Sequence, residues 1–171
     1  MKTSKVVALS AITTAFCILL LTFGAYVEVF DLSCLFMASL ALMLPLTKGY
    51  KLGGFLSYLA SVILGFILTG ARFQILIPFT MFFGLHPLAN YLQKQYKINA
   101  VLATLIKTVW FVATLFITYY FSKMFIVEHE IVEKYINWII LIGGSAVFLI
   151  YDRLMYTFQR SLEKIISRLK L

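Results

Sequence analysis

The sequence predicts an all-α membrane protein, a bundle of six transmembrane helices that forms a single domain over residues 1–171. Apolar residues make up 62% of the chain and charged residues 13%, whereas soluble domains have about 45–50% and about 25%. The mean hydropathy of +0.95 means that lipid must be part of the solvent. Six helices of roughly 20 residues each also fit the chain length, with only short loops between them.

The first three predicted spans are apolar and close together. The first covers residues 6–26 and follows Lys2 and Lys5, as the core of a signal peptide would. Its apolar run is longer than such a core of about 7–15 residues, so we expect it to be retained as a helix. The second covers 30–47. The third, 52–69, carries glycine, serine and alanine at three- and four-residue spacing, which lets helices approach closely in lipid.

Two prolines interrupt the fourth predicted span, residues 73–92. Because Pro78 and Pro87 each remove a backbone hydrogen bond, we expect this helix to be bent or partly unwound. The fifth and sixth spans are predicted at 100–122 and 135–158.

Charge predicts the orientation in the membrane. Residues 159–171 combine apolar residues with a basic face, which is typical of an amphipathic helix on the inner membrane surface. With the N-terminus inside, 11 Lys and Arg residues lie at the inner ends and three at the outer ends. The positive-inside rule therefore predicts a multi-pass protein of the cell membrane with both termini in the cytoplasm. The same bias explains the net charge of +8 without nucleic acid as a partner.

The sequence contains no known catalytic or ATP-binding motif. His86 and His129 are too few to suggest a metal site by spacing. Cys17 and Cys34 lie in apolar runs, where packing is their expected role. We therefore expect a protein that is not an enzyme, with no metal and no cofactor, and energised transport would require separate subunits.

Lys107, Asp152 and His86 are ionisable residues inside the predicted spans, where a charge costs about 3 kcal/mol on insertion scales and often marks function. We expect Lys107 to extend to the cytoplasmic surface, Asp152 to form an interfacial ion pair beside Arg153, and His86 to be a hydrogen-bonded packing residue. The alternatives are a functional Lys107, a proton relay through Asp152, and a gate lined by His86 and Asn90. The sequence leaves open whether Lys107 and Asp152 pair.

A candidate solute site lies at the outer ends of the spans. A few polar groups among aromatic side chains are the usual way to hold a small organic molecule. Tryptophan and tyrosine also form belts at membrane interfaces, which is the alternative for the aromatic members. The candidate substrate-binding residues are Glu28, Asp31, Arg72, Gln74, Trp110, Thr114, Asn137 and Trp138.

One face of the first span carries small residues. Ala8, Ala11 and Ala15 include an A-x-x-x-A and form a flat surface for close helix contact, so we take them as candidate partner-contact residues. The contact can be with another helix of this chain or with a different subunit.

With its basic ends, its six spans and this opening motif, the whole chain resembles the substrate-binding S components of energy-coupling factor vitamin transporters. The resemblance implies uptake of a vitamin or related micronutrient, bound at the first outer loop and the outer halves of helices four to six. It also implies that Ala11 and Ala15 contact a transmembrane coupling subunit, and that two ATPase subunits supply the energy. By this resemblance the solute site comprises Glu28, Arg72, Gln74 and Asn137.

The alternative is a structural or scaffolding membrane protein, similar in size and number of spans to the cell-shape protein MreD, which binds other membrane proteins and no solute. A water-accessible outer pocket with Arg72 and Asn137 facing inward favours the transport subunit. An interior of apolar residues alone favours the scaffold. Membrane lipid is an expected partner in both cases.

Overall fold

The protein is an all-α bundle in the computed structural model, which describes residues 2–123 and 130–168. Over these residues the regular elements are helices. The α-helices are α1 (Lys2–Tyr26), α2 (Asp31–Thr47), α3 (Lys51–Leu68), α4 (Phe73–Pro78), α5 (His86–Gln95), α6 (Ala100–Lys123), α7 (Glu130–Trp138) and α8 (Gly144–Arg168). A 3₁₀ turn at Glu28–Phe30 precedes α2, and π-helical turns at Phe79–Phe83 and Ile139–Gly143 follow α4 and α7.

Several of these helical segments are long and apolar enough to cross a membrane, which makes the chain a polytopic membrane protein. Within the described part of the chain they are Ser4–Tyr26, Lys51–Leu68, Phe73–Gln95, Ala100–Lys123 and Lys134–Ile165. The remaining predicted span is α2, which is apolar but has 17 residues, the lower limit for a helix that crosses a bilayer. Helices satisfy their own backbone hydrogen bonds, as lipid requires.

The short helix α2 lies at the centre of the bundle. It packs against α1, α3, α5 and α8. Ala38 and Ser39 are fully buried, and Leu42 is 1% exposed. Only the first part of α2 has exposed side chains, among them Leu32 and Met37, and the rest of the helix is covered by its neighbours.

The break in the fourth span lies where the two prolines predict it. The helix α4 ends at Pro78, and α5 starts at His86 with Pro87 in its first turn. In a continuous α-helix the N–H of residue 87 would bond the carbonyl of Phe83, but proline has no N–H. The Ser39 hydroxyl donates to that carbonyl instead, at 2.7 Å. A side chain of α2 thus replaces the lost backbone bond.

A second carbonyl within the break has a side-chain partner too. The N–H of Gly84 bonds the carbonyl of Phe79, five residues back, so the Thr80 carbonyl loses its α-helical donor. The Tyr58 hydroxyl of α3 donates to Thr80 at 2.8 Å. A Cβ at position 84 would lie 2.5 Å from the Tyr58 ring, so this close approach requires glycine.

Aromatic side chains fill the core beside this break. Phe82 is fully buried. Its ring centroid lies 4.8–5.9 Å from the rings of its neighbours. These neighbours are Phe83, His86, Trp110, Phe111, Phe148 and Tyr151. Edge-to-plane packing of this kind fixes the positions of α5, α6 and α8 relative to one another.

The C-terminal segment differs from the predicted separate surface helix. The helix α8 continues without a break through Arg168, because residues 159–168 contain neither glycine nor proline. The Lys94 ammonium donates to both carboxylate oxygens of Glu163 at 2.8 Å and ties this extension to α5. The last three residues of the predicted tail, 169–171, lie outside the described residues.

Candidate functional site

A cluster of polar side chains lies where α5, α6 and α8 meet. The helix α5 supplies His86 at its first residue and Asn90 one turn later. The helix α6 supplies Lys107, and α8 supplies Asp152. Because residues four apart share one face of a helix, the break before His86 also sets where Asn90 points.

All four side chains are linked by hydrogen bonds. The Lys107 ammonium donates to Asp152 Oδ1 at 2.6 Å and to Asn90 Oδ1 at 2.9 Å. His86 Nε2 lies 3.0 Å from the same carboxylate oxygen. A carboxylate only accepts, so this geometry assigns the proton to Nε2. Both contacts to Asp152 use Oδ1, which leaves Oδ2 for another partner.

Within the cluster His86 and Lys107 are buried and Asn90 and Asp152 are partly buried, which bears on two of the sequence predictions. Lys107 is 7% exposed, so the prediction that it extends to the cytoplasmic surface is wrong. Instead, its ammonium donates hydrogen bonds to Asn90 and Asp152. Asp152 forms an ion pair, as predicted, and its partner is Lys107 on α6.

The prediction for His86 as a hydrogen-bonded packing residue is confirmed. It is fully buried and bonds Asp152. Its ring packs against Phe82 and Tyr151, at centroid distances of 5.0 and 4.8 Å. The Tyr151 hydroxyl lies 2.8 Å from Ser39 Oγ, so polar contacts continue from the ionic cluster toward the central helix α2.

A cavity of about 730 Å³ opens beside the cluster. Lys107 and Asp152 form part of its wall, and His86 lies behind Asp152. The other lining residues come from α5, the turn after it, the start of α6 and the basic extension of α8. The charged lining residues are Lys94, Lys97, Lys107, Arg153, Arg160, Asp152 and Glu163. Positive charges therefore exceed negative ones by three.

The outer candidate residues Arg72, Asn137 and Gln74 are dispersed. The Arg72 guanidinium donates to the Ala25 carbonyl at 2.7 Å and lies 4.8 Å from the centroid of the Tyr26 ring. These contacts join the start of α4 to the end of α1. Asn137 is exposed and accepts a hydrogen bond from Tyr120 at 3.2 Å, and Gln74 is exposed on α4.

The remaining outer candidates have different surroundings. Trp110 packs against Phe82, and Thr114, 1% exposed, donates to the Trp110 carbonyl at 3.0 Å. Trp138 is 62% exposed, as a residue of an interfacial belt would be. Asp31 is the first residue of α2. Glu28 begins the 3₁₀ turn, and its side chain lies outside the described part of the structure.

The alanine stripe of α1 faces away from the bundle. Ala8, Ala11 and Ala15 are exposed, whereas Thr13 and Cys17 of the same helix are fully buried. The predicted contact surface is therefore free of other helices of this chain over the described residues.

Comparison with known proteins adds no identification. No protein-family model, no curated protein and no solved structure matches the chain. Within residues 2–123 and 130–168, no three histidine, cysteine or acidic side chains come together as a metal site. The ionic cluster and the cavity beside it are therefore the candidate functional site.

Proposed function

We propose that this chain is the membrane-embedded, solute-binding subunit of a transport system that takes up a small micronutrient such as a vitamin or its precursor. The observation that carries the proposal is the Lys107–Asp152 ion pair at the wall of a cavity between α5, α6 and α8. Ionisable groups within membrane spans face bundle interiors or water-filled cavities and mark the paths of solutes and ions.

The size and chemistry of the cavity fit a small organic molecule. Ligand pockets usually enclose about 300–1,000 Å³, and this cavity measures about 730 Å³. Its wall combines charged groups with amides and the Tyr156 ring. By the positive-inside rule its basic opening faces the cytoplasm. In the proposed system this arrangement is the state that opens to the cytoplasm.

The exposed alanine stripe on α1 supports a partner within the membrane. Ala8, Ala11 and Ala15 leave a flat surface that another helix can approach closely. In the proposed system this surface contacts a transmembrane coupling subunit, and separate ATPase subunits supply the energy. The coupling subunit and the ATPase subunits are implied by the resemblance of the sequence to S components.

The experiment is a thermal-shift screen of the detergent-purified chain against vitamins, nucleobases and their precursors. A ligand at a hundred times its Kd adds about 2.7 kcal/mol to the free energy of unfolding, which raises the Tm. We expect one compound class to do so, with the shift lost in Lys107→Met/Asp152→Asn and kept in Lys5→Gln, a lysine outside the cavity. A shift lost instead in Arg72→Ala or Asn137→Ala would assign the solute to the outer site.

The aromatic core favours a second candidate, a scaffold that binds other membrane proteins. Phe79, Phe82 and Phe148 are fully buried, and Trp110 and Thr114 pack with them, so the interior beside the ionic cluster is filled with side chains. The same screen separates the two functions. A chain that responds to no solute and co-purifies with another membrane protein is a scaffold.

A further inference from the structure

We propose that the cavity binds a phosphate group, carried by the solute or by a lipid head group, through Arg153, Arg160, Lys97 and Lys107. This inference deepens the proposed function and rests on it, because it names the chemical class of ligand for the same cavity.

The charges of the cavity wall favour an anionic ligand. Two of its five basic residues are already paired with the two acids, Lys107 with Asp152 at 2.6 Å and Lys94 with Glu163 at 2.8 Å. The other three are Lys97, Arg153 and Arg160. No acidic residue in the described part of the chain pairs with any of them. A surface with three cations that no acid compensates attracts an anion such as a phosphate monoester or diester.

The two arginines of the cavity wall lie on the same helix, α8. Arg153 and Arg160 are seven residues apart on α8, so they share one face of the helix, about 10 Å apart along its axis. Arg160 lies 4.7 Å from the centroid of the Tyr156 ring, which also lines the cavity. Guanidinium groups bind phosphate through paired N–H donors, and a ring at their side fixes the direction of the fork.

Lys107 adds a buried cation to the cavity wall. An ammonium has three donors, and two of them bond Asn90 and Asp152. The third donor of this residue, which is 7% exposed and lines the cavity, is left for a ligand. An anion that enters between Arg153 and Lys107 therefore meets a directed donor at the inner end of the cavity.

The test measures the Tm of the detergent-purified chain with inorganic phosphate and with glycerol 3-phosphate, against chloride at the same ionic strength. We expect both phosphates to raise the Tm, and Arg153→Gln/Arg160→Gln to weaken the response at least tenfold in concentration. Both arginines are exposed, so this variant keeps the fold. The control is Lys5→Gln/Lys134→Gln, which removes the same charge outside the cavity and keeps the response.

A second arm separates the two sources of phosphate. The chain is placed in nanodiscs of phosphatidylcholine with or without phosphatidylglycerol. A rise in Tm with phosphatidylglycerol alone, lost in the arginine variant, assigns the phosphate to a lipid. A rise with the soluble esters assigns it to the solute.

Three outcomes overturn the inference. If no phosphate compound changes the Tm, while a compound from the vitamin screen does so through Lys107, the cavity binds a different chemical class and the proposed function stands. If neither set of compounds changes the Tm, both proposals fail. A phosphate response that is unchanged in the arginine variant also refutes the site.

Discussion

Single residues determine where this membrane protein places its polar groups. Lys107 and Asp152 lie on different helices. Each would be an unfavourable charge in a membrane span by itself, and the two form an ion pair. The sequence identifies both as unusual because they lie inside apolar runs. It does not predict their pairing, because the relative rotation of α6 and α8 depends on the aromatic packing around Phe82.

The first prediction concerns this pair. Lys107→Met or Asp152→Asn alone should lower the free energy of unfolding by about 3–5 kcal/mol, because each leaves a buried charge without its partner. The double variant should cost less than either single one. Chemical unfolding in detergent micelles measures all three. Lys94→Met/Glu163→Gln is the control, a more exposed ion pair between α5 and α8 that should contribute at most about 1 kcal/mol. Additive losses at Lys107 and Asp152 would show that the pair does not form.

The second prediction concerns Gly84. Gly84→Ala brings a methyl group to 2.5 Å from the Tyr58 ring, which the hydroxyl bond to Thr80 prevents from moving. We expect a loss of about 1–3 kcal/mol, as overpacking usually costs. Gly143→Ala is the control, since a Cβ there meets nothing within 4 Å. Equal Tm values for the two variants would contradict the close approach.

At the scale of elements, the sequence predicts the helices well and their interruptions in part. The apolar runs predict the bounds of α2, α3 and α6 to within one residue, because lipid permits little but helix in such runs. The prolines predict the break in the fourth span. The absence of glycine and proline from residues 159–168 allows α8 to continue through the predicted surface segment, whereas no local pattern reveals its contact with α5 through Lys94 and Glu163.

The third prediction tests how α2 supports the break. Ser39→Ala removes the donor that replaces the missing N–H of Pro87, so we expect a loss of about 1–3 kcal/mol. In a Pro87→Ala background the same substitution should cost less, because residue 87 then supplies its own N–H to Phe83. The control is Ser145→Ala, whose hydroxyl bonds the Leu141 carbonyl of the preceding turn at an exposed position. Equal costs of Ser39→Ala in the two backgrounds would refute the replacement.

At the scale of the whole molecule, composition and charge predict a membrane protein and its orientation in the membrane. The solute site predicted at the outer ends of the spans, however, is not where the cavity lies. The outer candidates are polar residues near aromatic groups in the sequence. In the structure Arg72, Asn137 and Trp110 each contact a different partner. The signal for the cavity was present in the sequence. Lys107 and Asp152 are ionisable residues inside predicted spans, and Asn90 lies one turn after His86. Only the packing of three helices brings them together.

The fourth prediction concerns orientation. Val29, 88% exposed, lies in the turn between α1 and α2, and Gln95 lies at the opposite, basic end of the bundle. A membrane-impermeant maleimide should label Val29→Cys in intact cells and Gln95→Cys only after permeabilisation, because basic ends stay in the cytoplasm. The native Cys17 and Cys34 are buried, so the unmodified chain is the control. The reverse labelling pattern would invert the topology.

Native mass spectrometry of the chain, released from membranes in mild detergent, tests most directly whether it binds a solute beside Lys107 and Asp152. We expect a bound small molecule on the wild-type chain that is absent from the folded Lys107→Met/Asp152→Asn variant. The same adducts on both chains, or no small molecule on either with another membrane protein attached, would contradict the proposed solute site.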